Sequence, residues 1–556
     1  MPSNLETRQI RVSRSYIVFL RIIIILTDMS LKDKLISLLL DAKRMCSACS
    51  DAAALGKEIQ QFEERIEKPL RVAIVGIMKA GKSTFMNSLM GENLLYTGIE
   101  ETTYTVTWFK YSPKPYLNIV FKNMEGNIEK CPFEDLEKWT VRNMSVEMPR
   151  INDVKYIEVY YPNTMLKTIE LIDTPGLNSA INLDAQNTMN FLGVKKAKEL
   201  EKTTLDEASK ADAIIYAYTR SAGSSDKDFL NDFHGNAITS STSPINAVGV
   251  YTKSDQLWKV LKADTPLELG QNVADTTMKN PEMKKLLYST LPVVAKIVEG
   301  FTILDESDWK VLESLSKIPF EVLKYEMRHV QNFTEKQVSE FDPEIQNFIC
   351  TSLQRLTLIE KIGVYGICEI TNCIIQKFNK QQIKEHIYKV SGIEKVNELV
   401  VNHFGNRAFL IKTQYILLRM KSICSQYQQQ SNNTNLKIIS NEILEKVNEI
   451  ERSEHVFREL KVLQDYYNGL FYFNNNEEYQ EFLQVTGEKG LNCEVKLGIN
   501  SPTFVSEMAR VAQTKAQEWN GKANEFGVSR LYEQAANVAT RSYDNLYYHL
   551  NILSGE

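Results

Sequence analysis

Eight residues, Gly76-Ile77-Met78-Lys79-Ala80-Gly81-Lys82-Ser83, fit the spacing G-x-x-x-x-G-K-[ST]. The two glycines let the backbone close tightly round an anion with its N–H groups turned inward. Lys82 is placed to reach the terminal phosphates of a nucleotide, and the Ser83 hydroxyl suits Mg2+. Thr84 opens the helix that follows, whose positive N-terminal dipole faces the same anion. A second group lies at the end of Thr168-Ile169-Glu170-Leu171-Ile172-Asp173-Thr174-Pro175-Gly176, an apolar strand closing on D-x-x-G. There the Asp173 carboxylate can hold a metal-bound water, and the Gly176 N–H can sense a γ-phosphate.

Two further loops carry chemistry for a base. Thr252-Lys253-Ser254-Asp255 follows the buried-type run Ala247–Tyr251 and reads T-K-x-D. Its carboxylate accepts hydrogen bonds from the guanine ring N–H and exocyclic amine, and adenine presents a different edge. The Lys253 stem lies over the ring. Ala295-Lys296, after Leu291–Val294, offers an alanine N–H to the guanine carbonyl. Between the phosphate loop and D-x-x-G runs the polar segment Gly91–Thr103, which leads into a strand. In a P-loop GTPase this segment is the first switch, whose threonine closes on Mg2+ and the γ-phosphate. Thr103 is nearer the strand and is the chosen residue; Thr102 is the alternative. Phosphate loop, switch threonine, D-x-x-G, T-K-x-D and A-K occur in the order of an unpermuted GTPase.

These loops need a sheet to hold them. Val72–Val75 reads as a buried parallel strand, and Phe85, Leu89 and Met90 mark one face of the helix after the loop. Strands are expected at Thr105–Tyr111, Tyr116–Lys122, Tyr156–Tyr161 and Asp212–Thr219, and a long helix at Gln186–Ser209. The fold predicted is an α/β P-loop GTPase domain with a mostly parallel doubly wound sheet, nucleotide lying at the carboxyl ends of its strands. The N- and C-terminal stretches read as all-α.

At 556 residues the chain exceeds one typical domain, and 43% hydrophobic content supports a large core. A net charge of only −5, with no basic run in the helical half, argues against nucleic acid as a partner and against GTPases of ribosome or RNA work. The eight cysteines keep no disulfide rhythm, and Cys46-Ser47-Ala48-Cys49 has no second pair or histidine partner, so reduced, non-ligating thiols in a cytosolic setting are expected. The six histidines form no ligand spacing.

The wording around the motifs, MKAGKSTFMNSLMGENLL, then ETTYTVTWFKY and LIDTPGLNS, resembles the dynamin-like GTPases, the bacterial members especially. Ser391–Ala408 is similar to a stretch that follows the GTPase core in several of them. The resemblance covers residues 70 to 410. It implies GTP hydrolysis with Mg2+, a homodimer or oligomer formed through the G domains, action at a lipid membrane, and in some pairs a second dynamin-like subunit. The implied location is cytoplasmic, peripheral at the inner face of a membrane. Two departures bear on mechanism. Leu177 stands where Ras-like proteins carry the water-orienting glutamine, which dynamins also lack. Met78 and Lys79 stand where classical dynamins carry a glutamine and then a serine that position water and a monovalent cation. Two readings of Lys79 remain open. Its ammonium replaces the cation and stabilises charge developing between the phosphates, or it points to solvent or pairs with an acidic residue. The first predicts turnover indifferent to exchanging potassium for lithium at constant ionic strength; a strong potassium requirement refutes it.

Domain limits follow from these patterns. Residues 29–67 are N-terminal helices that pack with the C-terminal bundle, 68–408 the GTPase domain with a helical insertion at 298–389, and 409–556 the neck and trunk helices. Residues 1–28 read either as a short hydrophobic leader or as a stretch ahead of the native start at Met29. Leu436–Leu463 is expected as one long helix, Gly487–Pro502 as irregular, and Thr503–Asn524 and Val528–Leu553 as the last two helices. The aromatic run Tyr466–Phe473 reads as bundle core or, alternatively, as a membrane contact.

Overall fold

A computed structural model of the chain describes residues 14–76, 79–95, 105–121, 128–140, 153–174, 211–220, 230, 246–335, 350–405, 407–430, 433–467, 469–499 and 503–554. These divide into two compact units, Pro69–Val400 and the flanking residues up to Lys68 and from Val401 onward.

Among the described residues the first unit is built on nine strands: β1 (Leu70–Gly76), β2 (Val106–Tyr111), β3 (Tyr116–Phe121), β4 (Ile128–Cys131), β5 (Val154–Tyr161), β6 (Ile169–Asp173), β7 (Ala213–Tyr218), β8 (Ala247–Tyr251) and β9 (Ser289–Pro292). Their order across the sheet is β4-β3-β5-β2-β6-β1-β7-β8-β9. From β6 to β9 every pairing is parallel. The apolar runs of β1, β6, β7 and β8 are buried along nearly their whole length, as strands covered on both faces must be. β2 runs antiparallel to β6, and the edge beyond it is mixed, with β2 parallel to β5 and β3 antiparallel to both β5 and β4. β4 has no counterpart among the expected strands. It is four residues long with three of them exposed, and so carries almost no hydrophobic pattern.

The parallel half carries the site. β1, β6, β8 and β9 end together at Gly76, Asp173, Tyr251 and Pro292, with Ile74 in register with Asp173 and Tyr251 with Pro292. Helices α3 (Lys82–Met90), α4 (Pro266–Lys279) and α5 (Ala295–Thr302) follow the loops at three of these ends. Later helices, among them α6 (Glu306–Leu315), α7 (Ser352–Ile375), α8 (Lys380–Val390) and α9 (Ile393–Leu399), belong to the same compact unit. α5 crosses α7 at Gly300, where an added Cβ would meet the Lys361 carbonyl at 2.2 Å. The stretch Ser391–Ala408 forms α9 followed by a π-helical turn at Val400–Gly405.

In the second unit α1 (Arg14–Ser47) and α2 (Ala53–Ile66) pack with α10 (Ala408–Gln430) and α11 (Thr434–Ser453). Leu35, Leu39, Ile59, Ile416, Ile443 and Val447 form the centre of this core. Residues more than 300 positions apart thus share one apolar interior, as the helical patterns at both ends require. Lys412 is buried here and donates to the carbonyls of Ile66 (2.6 Å) and Lys68 (2.7 Å), satisfying groups that the end of α2 leaves open. Cys46 lies in the same core. Burial pushes its thiol up to about 11, with Cys49 adding to the effect, so it stays protonated and a poor ligand.

The rest of this unit departs from expectation at two places. The single helix expected over Leu436–Leu463 is two, α11 and α12 (His455–Tyr467), because Glu454 adopts an extended backbone with ψ 118°. The stretch expected to be irregular, Gly487–Pro502, contains a short helix at Cys493–Leu497. Helices α13 (Asn476–Val485), α14 (Cys493–Leu497), α15 (Val505–Ala523) and α16 (Arg530–Ser554) complete it. Ala512, Ala516, Ala535 and Ala539 are buried along α15 and α16, and small side chains let the two helices approach closely. Of the aromatic run, Tyr467, Phe471 and Phe473 are core. Phe473 packs on Phe482 (5.4 Å) and Trp519 (6.2 Å), whereas Leu470 and Tyr472 are 59% and 64% exposed. No helix among the described residues is long and apolar enough to cross a membrane.

Candidate functional site

The loop after β1 owes its shape to two backbone constraints. Gly76 has φ 156°, and a Cβ there would lie 2.2 Å from the Ala217 carbonyl on β7, so only glycine lets the loop leave the sheet at this point. Gly81, at φ 75°, sits at the N-cap of α3 and turns the chain into the helix. Lys79, at φ 62°, is one of three non-glycine residues with positive φ among those described. An L side chain held there marks a backbone over-determined by its surroundings. Those surroundings are the base loop. Lys253 Nζ donates to the Lys79 carbonyl at 2.8 Å, and Thr252 Oγ1 donates to the Ala80 carbonyl at 2.6 Å. A Cβ on Gly81 would sit 3.6 Å from Lys253 Cε. The phosphate loop and the T-K-x-D loop, some 170 residues apart, brace one another directly.

Lys82 is buried on the first turn of α3 and donates to the Gly76 carbonyl across the loop at 3.2 Å. Ser83 and Thr84 follow, half-buried. Asp173, at the end of β6, is fully buried, and among the described residues neither carboxylate oxygen accepts a well-formed hydrogen bond. Burial raises its carboxyl to about 7, with the Lys82 charge and, more weakly, the Thr174 backbone pulling the other way. The neighbouring Thr174 hydroxyl donates to the Ile74 carbonyl at 2.8 Å and locks the strand end in place. Two unused, buried carboxylate oxygens of this kind carry a cost unless something positive meets them. A hydrated Mg2+ fits that need. Among the described residues no cluster of three or more His, Cys, Asp or Glu forms a metal site. A cation held here would draw its remaining ligands from water and phosphate oxygens, as Mg2+ commonly does.

Lys253 lies within electrostatic reach of Lys79, Asp255 and Lys296, and Asp255 within reach of Lys296. Burial lowers the Lys253 ammonium below its usual range, Asp255 opposes this, and Lys296 and Lys79 reinforce it. Burial likewise raises the Asp255 carboxyl, against its own backbone hydrogen bond and the charges of Lys296 and Lys253. Lys253 itself sits at φ 58°, at the start of the 3-10 turn Ser254–Leu257 that presents Asp255. Ala295 is the first residue of α5, and the loop before it is pinned by Val294 N to Ser391 O (2.8 Å) and Ser254 N to Val293 O (3.3 Å). Ser88 on α3 donates to the Ala295 carbonyl at 2.6 Å. Ile77, Met78, Thr103 with its alternative Thr102, Gly176 and Leu177 lie outside the described residues.

Asn87 is a residue that motif spacing does not single out. Buried on α3, it accepts from the Leu94 and Leu95 amides (3.0 and 2.8 Å) and donates to the Leu95 carbonyl and to Glu299 of α5 (2.8 and 2.7 Å). It ties the root of the polar segment after α3 to the helix after the A-K loop. Its signal in the sequence is an amide on the otherwise apolar side of α3.

Comparison with known proteins agrees with this geometry. Residues 72–233 match the model of the Dynamin family. The isoniazid-induced protein IniC of Mycobacterium tuberculosis is 22% identical over 490 residues, 87% of this chain and 91% of that protein. The bacterial dynamin-like protein of Nostoc punctiforme is 34% identical over 129 residues, 22% of this chain and 18% of that protein. A solved structure of an oligomerised bacterial dynamin pair, described as a mechanism for long-range sensing and tethering of membranes, covers 90% of this chain and 88% of its own. Its identity is 14% and its TM-score 0.32. The Dynamin-family match takes in the phosphate loop and the ends of β1 and β6, so that this part of the chain carries a GTPase domain of the dynamin-like family.

Proposed function

We propose that this chain binds GTP with Mg2+ at the carboxyl ends of β1, β6, β8 and β9 and hydrolyses it. The observation that carries this reading is the fully buried Asp173 beside Lys82, whose carboxylate oxygens accept no well-formed hydrogen bond among the described residues. Residues 76–84 would wrap the phosphates, with Ser83 and Asp173 holding the cation and Thr103 and Gly176 closing on the γ-phosphate. The metal would neutralise charge on the β- and γ-oxygens. Lys82 stabilises charge that builds on the same oxygens, in a loop already braced by Lys253 and Thr252. Asp255 reads the guanine edge, the Lys253 stem covers the ring, and the Ala295 N–H and Lys296 complete the base loop. With Leu177 after D-x-x-G, the attacking water is oriented by groups other than a Ras-type glutamine. Lys79, which is exposed, would supply positive charge in the position of a monovalent cation, or else point to solvent.

The base assignment is tested by Asp255→Asn. That variant should lose preference for GTP and gain for xanthosine triphosphate, by about a hundredfold in their ratio, because the carboxylate's hydrogen-bond polarity is reversed. Competition binding reads the ratio, and a retained GTP preference would mean that the base loop is elsewhere.

Family membership supports a wider role for the cycle, in which G domains pair as a homodimer or oligomer and the helical unit responds to hydrolysis at a membrane. A second dynamin-like subunit fits the same scheme. Contact with the membrane would be peripheral, from the cytoplasmic side. The competing reading is a nucleotide-dependent scaffold acting through a protein partner. Vesicle co-sedimentation with a non-hydrolysable GTP analogue separates the two: pelleting with vesicles supports the first, and its absence in every nucleotide state supports the second.

A further inference from the structure

The turn that presents Asp255 does not stand alone. Trp258 ends it, its N–H donating to the Asp255 carbonyl at 3.2 Å. The indole then packs edge-on against Tyr365 of α7, ring centres 5.0 Å apart and planes at 71°. Tyr365 is buried and is held from behind by Glu369, one turn along the same helix, whose carboxylate meets His386 of α8 at 2.8 Å.

α7 is itself shaped to this task. It is broken at Gly363, which takes φ 70° and ψ 171°, a backbone open to glycine. The Lys296 stem comes to 3.9 Å of the place where a Cβ would project at that break. On the other side of the break, Lys361 is fixed by Asp308 (2.5 Å) and Asp305 (3.4 Å) at the start of α6, and its carbonyl abuts Gly300 of α5. The two base loops therefore meet α7 two residues apart, Lys296 at the Gly363 break and Trp258 at Tyr365. That helix lies 100 residues beyond T-K-x-D, in the stretch expected to be an insertion.

We propose that Tyr365, acting through Trp258, is a positioning residue for guanine recognition, with α7 serving as the wall that holds the Asp255 turn in register with the base. The inference rests on the reading of Thr252–Asp255 as the guanine loop. A carboxylate discriminates by hydrogen-bond geometry, and a site must be held to within about half an ångström to do so. A 3-10 turn of four residues has no such rigidity of its own. The Trp258–Tyr365 contact supplies it from outside the motif.

The test uses the full chain and displacement of a fluorescent GTP analogue by GTP and by inosine triphosphate, which lacks the exocyclic amine. Trp258→Ala should lower the preference for GTP over inosine triphosphate about tenfold. Turnover at saturating GTP should stay within about twofold, since the phosphate loop is untouched. Tyr365→Leu should match it, and Tyr365→Phe, which keeps the ring, should retain the preference. Should Tyr365→Leu fail to fold, Trp258→Ala decides alone, because Trp258 is only half-buried. An unchanged preference in Trp258→Ala overturns the proposal. A wild-type chain with no guanine preference sinks the functional reading instead.

Discussion

Lys82→Ala should abolish tight GTP binding and cut turnover by about a hundredfold or more, the usual cost of removing a preorganised donor from developing charge. The structure sharpens this expectation in two ways. Lys82 is buried and donates to the Gly76 carbonyl, so its ammonium is already aimed across the loop before any phosphate arrives. Its charge also opposes the upward push on Asp173. On the proposed reading its loss would therefore act on the carboxylate that would hold the metal as well as on the phosphates. Titration with a fluorescent GTP analogue, together with phosphate release, measures both effects. An affinity equal to that of the wild type would remove Lys82 from the phosphate site.

Asp173→Asn should have two opposite consequences. Turnover should fall about a hundredfold, because the carboxylate that would hold the cation is gone. In chelator and without nucleotide, however, the variant should be more stable than the wild type. The sign follows from the proton balance. An unfolded aspartate releases its proton near 3.8, whereas the buried one does so near 7. Between those values the folded state keeps a proton that the unfolded chain has lost. The wild type is thus unpenalised at low pH and loses stability as pH rises towards 7. Asparagine has no proton to lose. Its advantage should grow by on the order of 2–3 kcal/mol between about pH 5 and pH 8. Urea unfolding of both proteins across that range reads the difference, and Mg2+ with GDP should shrink it. A gap that does not vary with pH would show that Asp173 is not a strained carboxyl. The two readouts together separate a functional carboxylate from a structural one, since function gains from ionisation what stability loses.

How much of this could be read in the chain follows from what local spacing can encode. A glycine at position 76 and another at 81 mark backbone conformations, and the structure shows the cause in each case, a carbonyl in the way at one and a left-handed turn at the other. Asp173 and Thr252–Asp255 follow buried apolar runs, and a strand end is where a loop must leave the sheet. These features lie within a few residues of one another, and so they survive as patterns. The same locality explains the misses. Strand β4 is too short and too exposed to show alternation. Glu454 breaks a helix whose apolar spacing continues on either side, so periodicity alone joins the halves. The short helix at Cys493–Leu497 is a single turn closed by Gly498 at φ 73°, below the length at which a period is visible.

By itself the sequence determined the identity of the chemical groups, their order along the chain and the type of most long elements. Residue type and near-neighbour spacing are enough for these. Only the tertiary structure decided which elements touch. It set β6 and β7 on either side of β1, turned β2 against its neighbour, and rested Lys253 on the phosphate loop. It left Asp173 buried with no well-formed hydrogen bond to its oxygens among the described residues, and it set Tyr365 against Trp258 at the end of the Asp255 turn. The contacts among these join residues from some sixty to some 170 positions apart. Contacts at that range are selected by packing and by the cost of burying unmet polar groups across the whole fold, and no local pattern records that choice.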